Sequence, residues 1–207
     1  PEDLPEFRPT LEAFAAACEG VSYRVLSALS LNLGLAAGAL HGCFGPAHTS
    51  FLRLNHYPPC PAAAPPDSPT VPERGELGIH HHTDAGALTV LLQDSQPGLQ
   101  VLHGERWHTV QPDPEALLVN IGDIVQVWSN DLYPAPLHRV VASPDAARTS
   151  AAFFFNPAYE TRYAPLSEPA RYEPIHWGRF RAGRAAGDYA DHGEEIQISH
   201  FRTRRAS

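Results

Sequence analysis

The sequence predicts a mainly β fold, an antiparallel sandwich or jelly roll carrying one long helix, and three observations lead there. Eight short strand-like runs follow one another between Ile79 and Phe155. Turn residues separate them, and no helical pattern intervenes, which is the signature of packed antiparallel sheets. Ahead of them, Leu11, Phe14, Cys18, Val21, Val25, Leu29 and Leu33 recur at helical spacing and mark one face of an amphipathic helix.

Taken in order, that helix runs from Thr10 to Leu33, with Thr10 as its expected N-cap and Gly34 where a left-handed closing residue is wanted. Ala36 to Phe44 can add a short helical turn. Phe51 to Tyr57 reads as a strand with Arg53, Asn55 and Tyr57 on one face, and polar groups on one face suggest a lined cavity. Seven prolines between Pro58 and Pro72 predict a stiff loop. The eight runs are Ile79–Asp84, Leu88–Gln93, Leu99–Leu102, Trp107–Val110, Ala116–Ile121, Ile124–Trp128, His138–Ala142 and Ser150–Phe155. Turn signals punctuate them at Pro97-Gly98, His103-Gly104-Glu105, Pro112 to Pro114 and Gly122-Asp123. Beyond Pro157 the periodicity fades to one weak helical stretch, Trp177 to Tyr189, and Arg202, Arg204 and Arg205 read as a solvated tail. The expected organisation is a helical scaffold segment (1–48), a β core (49–160) and a C-terminal extension packed on it (161–207), one structural domain overall.

Composition narrows the partners. The 207 residues carry a formal net charge of −8, which argues against nucleic-acid binding. No apolar run approaches the roughly 20 residues of a membrane span, and no signal peptide is recognisable, so a soluble protein without membrane contact is expected. Three widely spaced cysteines, Cys18, Cys43 and Cys60, suggest a reducing compartment and a cytoplasmic location. All 15 cationic side chains are Arg, and the lack of any Met implies a piece of a longer chain. Histidine, at 12 residues, is plentiful enough to prompt a search for metal ligands.

That search ends at His80-His81-His82-Thr83-Asp84. Strand residues two apart point to one side, so His82 and Asp84 can present an imidazole and a carboxylate to one ion. His138 opens an apolar strand and can supply a third ligand. Two histidines and a carboxylate leave three positions open, the arrangement of non-haem Fe(II) oxygen chemistry. Arg148 and Ser150 share parity on the last strand and can clamp a carboxylate, with Asn55 and Tyr57 adding hydrogen bonds. Phe154 has the same parity and should face the cavity.

His82-Thr83-Asp84, His138-Arg139-Val140 and Arg148-Thr149-Ser150, in that order, resemble the Fe(II)- and 2-oxoglutarate-dependent dioxygenases of the isopenicillin N synthase-like family. Asn55-His56-Tyr57-Pro58-Pro59-Cys60-Pro61, Gly98-Leu99-Gln100-Val101 and Asn120-Ile121-Gly122-Asp123 strengthen the resemblance. It implies a double-stranded β-helix (jelly roll) with a long N-terminal helix and a short C-terminal helical segment. It further implies Fe(II) held by His82, Asp84 and His138. The distal carboxylate of 2-oxoglutarate would lie on Arg148 and Ser150 with Tyr57 and Asn55, ascorbate would serve as a reductant, and Phe154 would lie against substrate. The family usually carries a further N-terminal region that this sequence lacks. The resulting expectation is a monomeric oxygenase that uses O₂ to oxidise a small molecule, hydroxylation being the default, with release of succinate and CO₂. The rivals are an oxidase of the same fold that uses no 2-oxoglutarate and a non-catalytic small-molecule-binding module. An aminocyclopropane oxidase is disfavoured because that group resembles a lysine-dependent active site and this chain has no Lys.

Overall fold

A computed structural model describes residues 3–70, 74–189 and 195–203. Helix α1 spans Phe7–Asn32 and buries Cys18, Ser22, Leu26, Leu29 and Ser30, a stripe at helical spacing. The hydroxyls of Ser22 and Ser30 donate to the carbonyls of Cys18 and Leu26, each at 2.8 Å, so these buried polar groups are satisfied within the helix. The helix begins before the expected cap: Glu6 occupies the N-cap position, and the Thr10 amide already donates to the Glu6 carbonyl. Its end is as expected. Gly34 adopts φ +77°, its amide reaches Leu31 O and the Leu35 amide reaches Ser30 O, which together satisfy the last free carbonyls.

Among the described residues, ten strands and two further α-helices follow. They are β1 (Phe51–Tyr57), β2 (Leu77–His82), β3 (Leu88–Gln93), β4 (Leu99–His103), β5 (Arg106–Thr109), β6 (Leu118–Ile121), α2 (Asp123–Trp128), β7 (His138–Val141), β8 (Arg148–Phe155), β9 (Arg162–Tyr163), β10 (Ile175–His176) and α3 (Trp177–Tyr189). Two four-stranded antiparallel sheets, ordered β1-β8-β3-β6 and β2-β7-β4-β5, make the jelly roll, and β9 and β10 pair separately. Alternation along β8 divides the interior. Phe153 and Phe155 point to the helical side, where Phe155 stacks on Phe44 at 4.0 Å within the main core of α1, α2 and α3. Arg148, Ser150, Ala152 and Phe154 point between the sheets. Each large apolar side chain buried in that core contributes about 1.5–3 kcal/mol. No helix among the described residues is long and apolar enough to cross a membrane.

Two expectations are corrected. Ile124–Trp128 is helical, as part of α2, and not a strand. Ile124, Val125, Val127 and Trp128 are all buried, and a short run buried on every side has no periodicity to separate the two states. The helix forms because Gly122 lets the chain close on the loop after β2: a Cβ there would stand 2.3 Å from Gly86 O. The Asp123 and Ile124 amides then donate to Asp84 O and Gly86 O. Arg202 is not a free tail residue: its guanidinium, though 46% exposed, is tied to Asp131, whereas Arg204 and Arg205 lie outside the described residues. The proline-rich loop is held down by wholly buried Arg139, which donates to Ser68 O at 2.7 Å and Gln100 Oε1 at 2.9 Å and lies over the Trp107 ring at 4.2 Å.

The turn after α2 places Asn130 and Asp131 at positive φ, a conformation Asn and Asp tolerate best after Gly. Asp131 there receives Gln126 Nε2 at 2.9 Å, the Tyr172 hydroxyl at 2.5 Å and both terminal nitrogens of Arg202, at 2.6 and 3.0 Å. Burial alone would raise its pKa, but the hydrogen bonds from Arg202, Tyr172, Gln126 and Arg171 outweigh it and hold the carboxyl at about 2. Because the folded pKa lies below the unfolded value of about 3.9, this carboxylate stabilises the fold fully above that pH and loses its contribution as pH falls through about 2. Asp131→Asn is therefore expected to lower the midpoint of urea unfolding at pH 7 and to flatten its decline between roughly pH 4 and 2.

Candidate active site

Strand pairing assembles the site. His82 on β2 stands directly opposite His138 on β7, with ring centroids 4.3 Å apart. Asp84 follows β2 by two residues and comes to the same point: its Oδ1 lies 3.8 Å from His82 Nε2 and 3.6 Å from His138 Nε2. One ligand atom from each residue falls within 4.8 Å of the others, a spacing that can hold one metal ion.

The surrounding hydrogen bonds decide which atoms face that point. His82 Nδ1 is 2.8 Å from His80 O and His138 Nδ1 is 3.0 Å from Pro136 O. A carbonyl can only accept, so both Nδ1 atoms carry hydrogen and both Nε2 atoms present lone pairs. Asp84 Oδ2 accepts from Thr89 Oγ1 and Asn120 Nδ2, each at 2.7 Å, which leaves Oδ1 as the free oxygen. Burial, followed by the neighbouring His138, lowers the His82 pKa against the raising influence of its bond to His80 O and of Asp84. A neutral imidazole results, the form that binds metal.

The second cluster shares the cavity. The β1–β8 register pairs Tyr57 with Arg148 and Asn55 with Ser150, and all four side chains line the same space as His82, Asp84 and His138. Arg148 is buried at 3% exposure, and its Nη2 donates to Gln93 Oε1 at 2.8 Å. Its Nε and Nη1 are buried with no partner among the described residues. Unpartnered donors of a buried guanidinium are costly, and they mark a place for an acceptor. Asn55 Nδ2 donates to Ser150 Oγ at 3.3 Å, so the serine hydroxyl keeps its own proton to give. Phe154 lines the cavity and its outer opening.

The residues singled out in the sequence thus meet in one cavity, and His80 serves through its carbonyl while its side chain stays exposed. Sequence reasoning missed Thr89, Asn120 and Gln93. A signal existed for the first two: each is an isolated polar residue within an apolar strand, and a buried polar side chain needs a partner. The proline-rich loop stays away from the site: none of residues 58–70 lines the cavity or its opening. The C-terminal part does, through Trp177, Arg181, Arg184 and Glu195.

Comparison with known proteins agrees with this geometry. The profile of the 2OG-Fe(II) oxygenase superfamily matches residues 48–157. The chain is 35% identical over 205 residues to gibberellin 2-beta-dioxygenase 6 of Oryza sativa subsp. japonica, covering 96% of this chain and 54% of that protein. It superposes on the crystal structure of JOX2 in complex with 2OG, Fe and JA with a TM-score of 0.76 at 36% identity, covering 86% of this chain and 52% of the other. The dioxygenase for auxin oxidation in rice gives a TM-score of 0.76 at 26% identity, with 96% of this chain and 65% of that one covered. The chain spans about half the length of the curated relatives it matches. On the matched profile and these relatives, the chain belongs to the 2OG-Fe(II) oxygenase superfamily.

Proposed function

We propose that this chain carries the catalytic core of an Fe(II)- and 2-oxoglutarate-dependent oxygenase that hydroxylates a small organic molecule. One observation carries the reading: a converging set of two imidazole nitrogens and one carboxylate oxygen shares a cavity with a buried guanidinium whose Nε and Nη1 have no partner. A metal site with open positions and an acid-binding site in one cavity suit a chelating diacid.

His82 Nε2, Asp84 Oδ1 and His138 Nε2 would hold the iron. With Oδ2 occupied by Thr89 and Asn120, Asp84 would bind through a single oxygen, and three positions would remain open. When bound, Fe(II) with 2-oxoglutarate and O₂ supplies the oxidising chemistry, the co-substrate leaving as succinate and CO₂. Arg148 Nε and Nη1 would fix the distal carboxylate, with Ser150 and Tyr57 adding hydroxyl donors and Asn55 setting the Ser150 rotamer. Leu91, Leu99, Leu118 and Val140 supply an apolar wall that excludes water around the reacting centre. Phe154, nearest the opening, would lie against the substrate. The names of the relatives, which include gibberellin and jasmonate-induced oxygenases, support a small organic substrate. The acidic balance and the free thiols of Cys18, Cys43 and Cys60 support a monomeric, cytoplasmic enzyme.

The direct test is succinate formation from 2-oxoglutarate under O₂ with Fe(II); a protein that binds neither metal nor 2-oxoglutarate would refute the reading. His138→Ala is expected to abolish turnover and weaken Mn(II) binding, read by calorimetry, while circular dichroism stays near that of the parent. Asn120→Ala should reduce metal affinity by about 10–100-fold, because it releases the oxygen that orients Asp84. Arg148→Lys should lower 2-oxoglutarate affinity by roughly one to two orders of magnitude despite conserving charge, since an ammonium cannot offer the planar paired donors.

A further inference from the structure

The opening of the cavity carries positive charge for which the oxygenase reading provides no use. Arg53 sits on the cavity face of β1 with Asn55 and Tyr57 and lines both the cavity and its opening. Four residues along β1 separate it from Tyr57, the cross-strand partner of Arg148. At about 3.3 Å per residue the two positions are roughly 13 Å apart along the ladder, so Arg53 belongs to a different subsite from Arg148.

A stack of rings fixes where this charge stands. The Arg53 guanidinium lies over the Phe154 ring at 4.9 Å, and Phe154 is stacked on Phe51 at 4.8 Å with 19° between the planes. Arg181, from α3, lies over Phe51 at 5.9 Å. Two cations from opposite ends of the chain therefore flank one aromatic pair at the opening. Stacking occupies the face of a guanidinium and leaves its edge donors available. Among the described residues neither Arg53 nor Arg181 has an ion-pair or hydrogen-bond partner. Arg184, three residues further along α3, shows the contrast. It donates to Thr83 O at 2.7 Å and Gln197 Oε1 at 2.5 Å and pairs with Glu195 at 3.2 Å. On a chain of net charge −8, two arginines with no partner among the described residues, meeting at one opening, attract an anion to that point.

We propose that Arg53 and Arg181 form a second anion subsite that binds the carboxylate of the substrate, making the substrate an apolar or aromatic monocarboxylic acid. Its acid group lies at the opening and its hydrocarbon part runs inward past Phe154 and Ala152 toward the metal-ligand set. The word substrate rests on the oxygenase reading; the anion subsite does not.

The test is isothermal titration of the protein with 3-phenylpropionate, cyclohexylacetate and decanoate, each against its primary amide, with and without Mn(II) and 2-oxoglutarate. Each amide matches the shape of its acid and removes only the charge. At least one acid is expected to bind ten-fold or more tighter than its amide without being displaced by 2-oxoglutarate. Arg53→Gln and Arg181→Gln should each reduce that preference several-fold, and the double variant should abolish it. The subsite is refuted if no acid outbinds its amide, if the preference survives in the double variant, or if 2-oxoglutarate displaces the acid, which would assign it to Arg148. Because the titration without metal and 2-oxoglutarate reads the subsite alone, its outcome is separable from a failure to form succinate.

Discussion

The architecture turns on how one buried carboxylate is held. Asp84 is 6% exposed, and two of its oxygens are tied to different elements. Its Oδ2 is shared between Thr89 on β3 and Asn120 on β6, and its backbone carbonyl takes the first amide of α2. Thr89 and Asn120 face each other across the β3–β6 ladder, so the first sheet fixes the side chain of a residue that extends from the second. A carboxylate anchored in this way needs no reorganisation to present its free oxygen, and preorganisation of that kind separates a site from a mere cluster of polar groups.

Charge is distributed between the two sheets on the same plan. The second sheet and the loop after it bring the imidazoles and Asp84, while the first brings Arg148 with its unpartnered nitrogens. Holding that guanidinium in the interior without an anion is unfavourable, and the expense is recovered when an acid enters. Gln93, opposite Ser150 on the β3–β8 ladder, relieves only part of it by accepting from Nη2. Under the proposed function, these free donors favour an anionic guest beside the metal-ligand set.

Much of this was legible in the sequence, for identifiable reasons. Period-two alternation put Arg53, Asn55 and Tyr57 on one face and Arg148, Ser150 and Phe154 on another, and the structure places all six around one cavity. Strand parity is insensitive to where a strand begins, so small errors at its ends left the faces intact. Boundaries and short buried elements were less legible. The apolar run in α2 has no polar face to betray its period, and Thr10 has the chemistry of a cap while lying inside the helix. Long-range contacts outside the metal-ligand and acid-binding sets were not legible: Arg139 reaches back 71 residues to Ser68, and Arg202 reaches 71 residues to Asp131. No local pattern encodes such pairs, and for the same reason Arg181 gave no sign of its position near Phe51.

The single face of β1 has one more consequence. Arg53, Asn55 and Tyr57 are consecutive teeth on one side of a strand fastened residue by residue to β8, from Phe51 opposite Phe154 to Tyr57 opposite Arg148. Slippage by one residue would turn all three outward together and bring Leu52, Leu54 and His56 into the cavity. Spacing along this strand thus behaves as a ruler. Point substitutions can shade one graduation, while an insertion or deletion between Phe51 and Tyr57 erases the whole scale, so diversification of this surface is confined to exchanges that keep the length of the segment fixed.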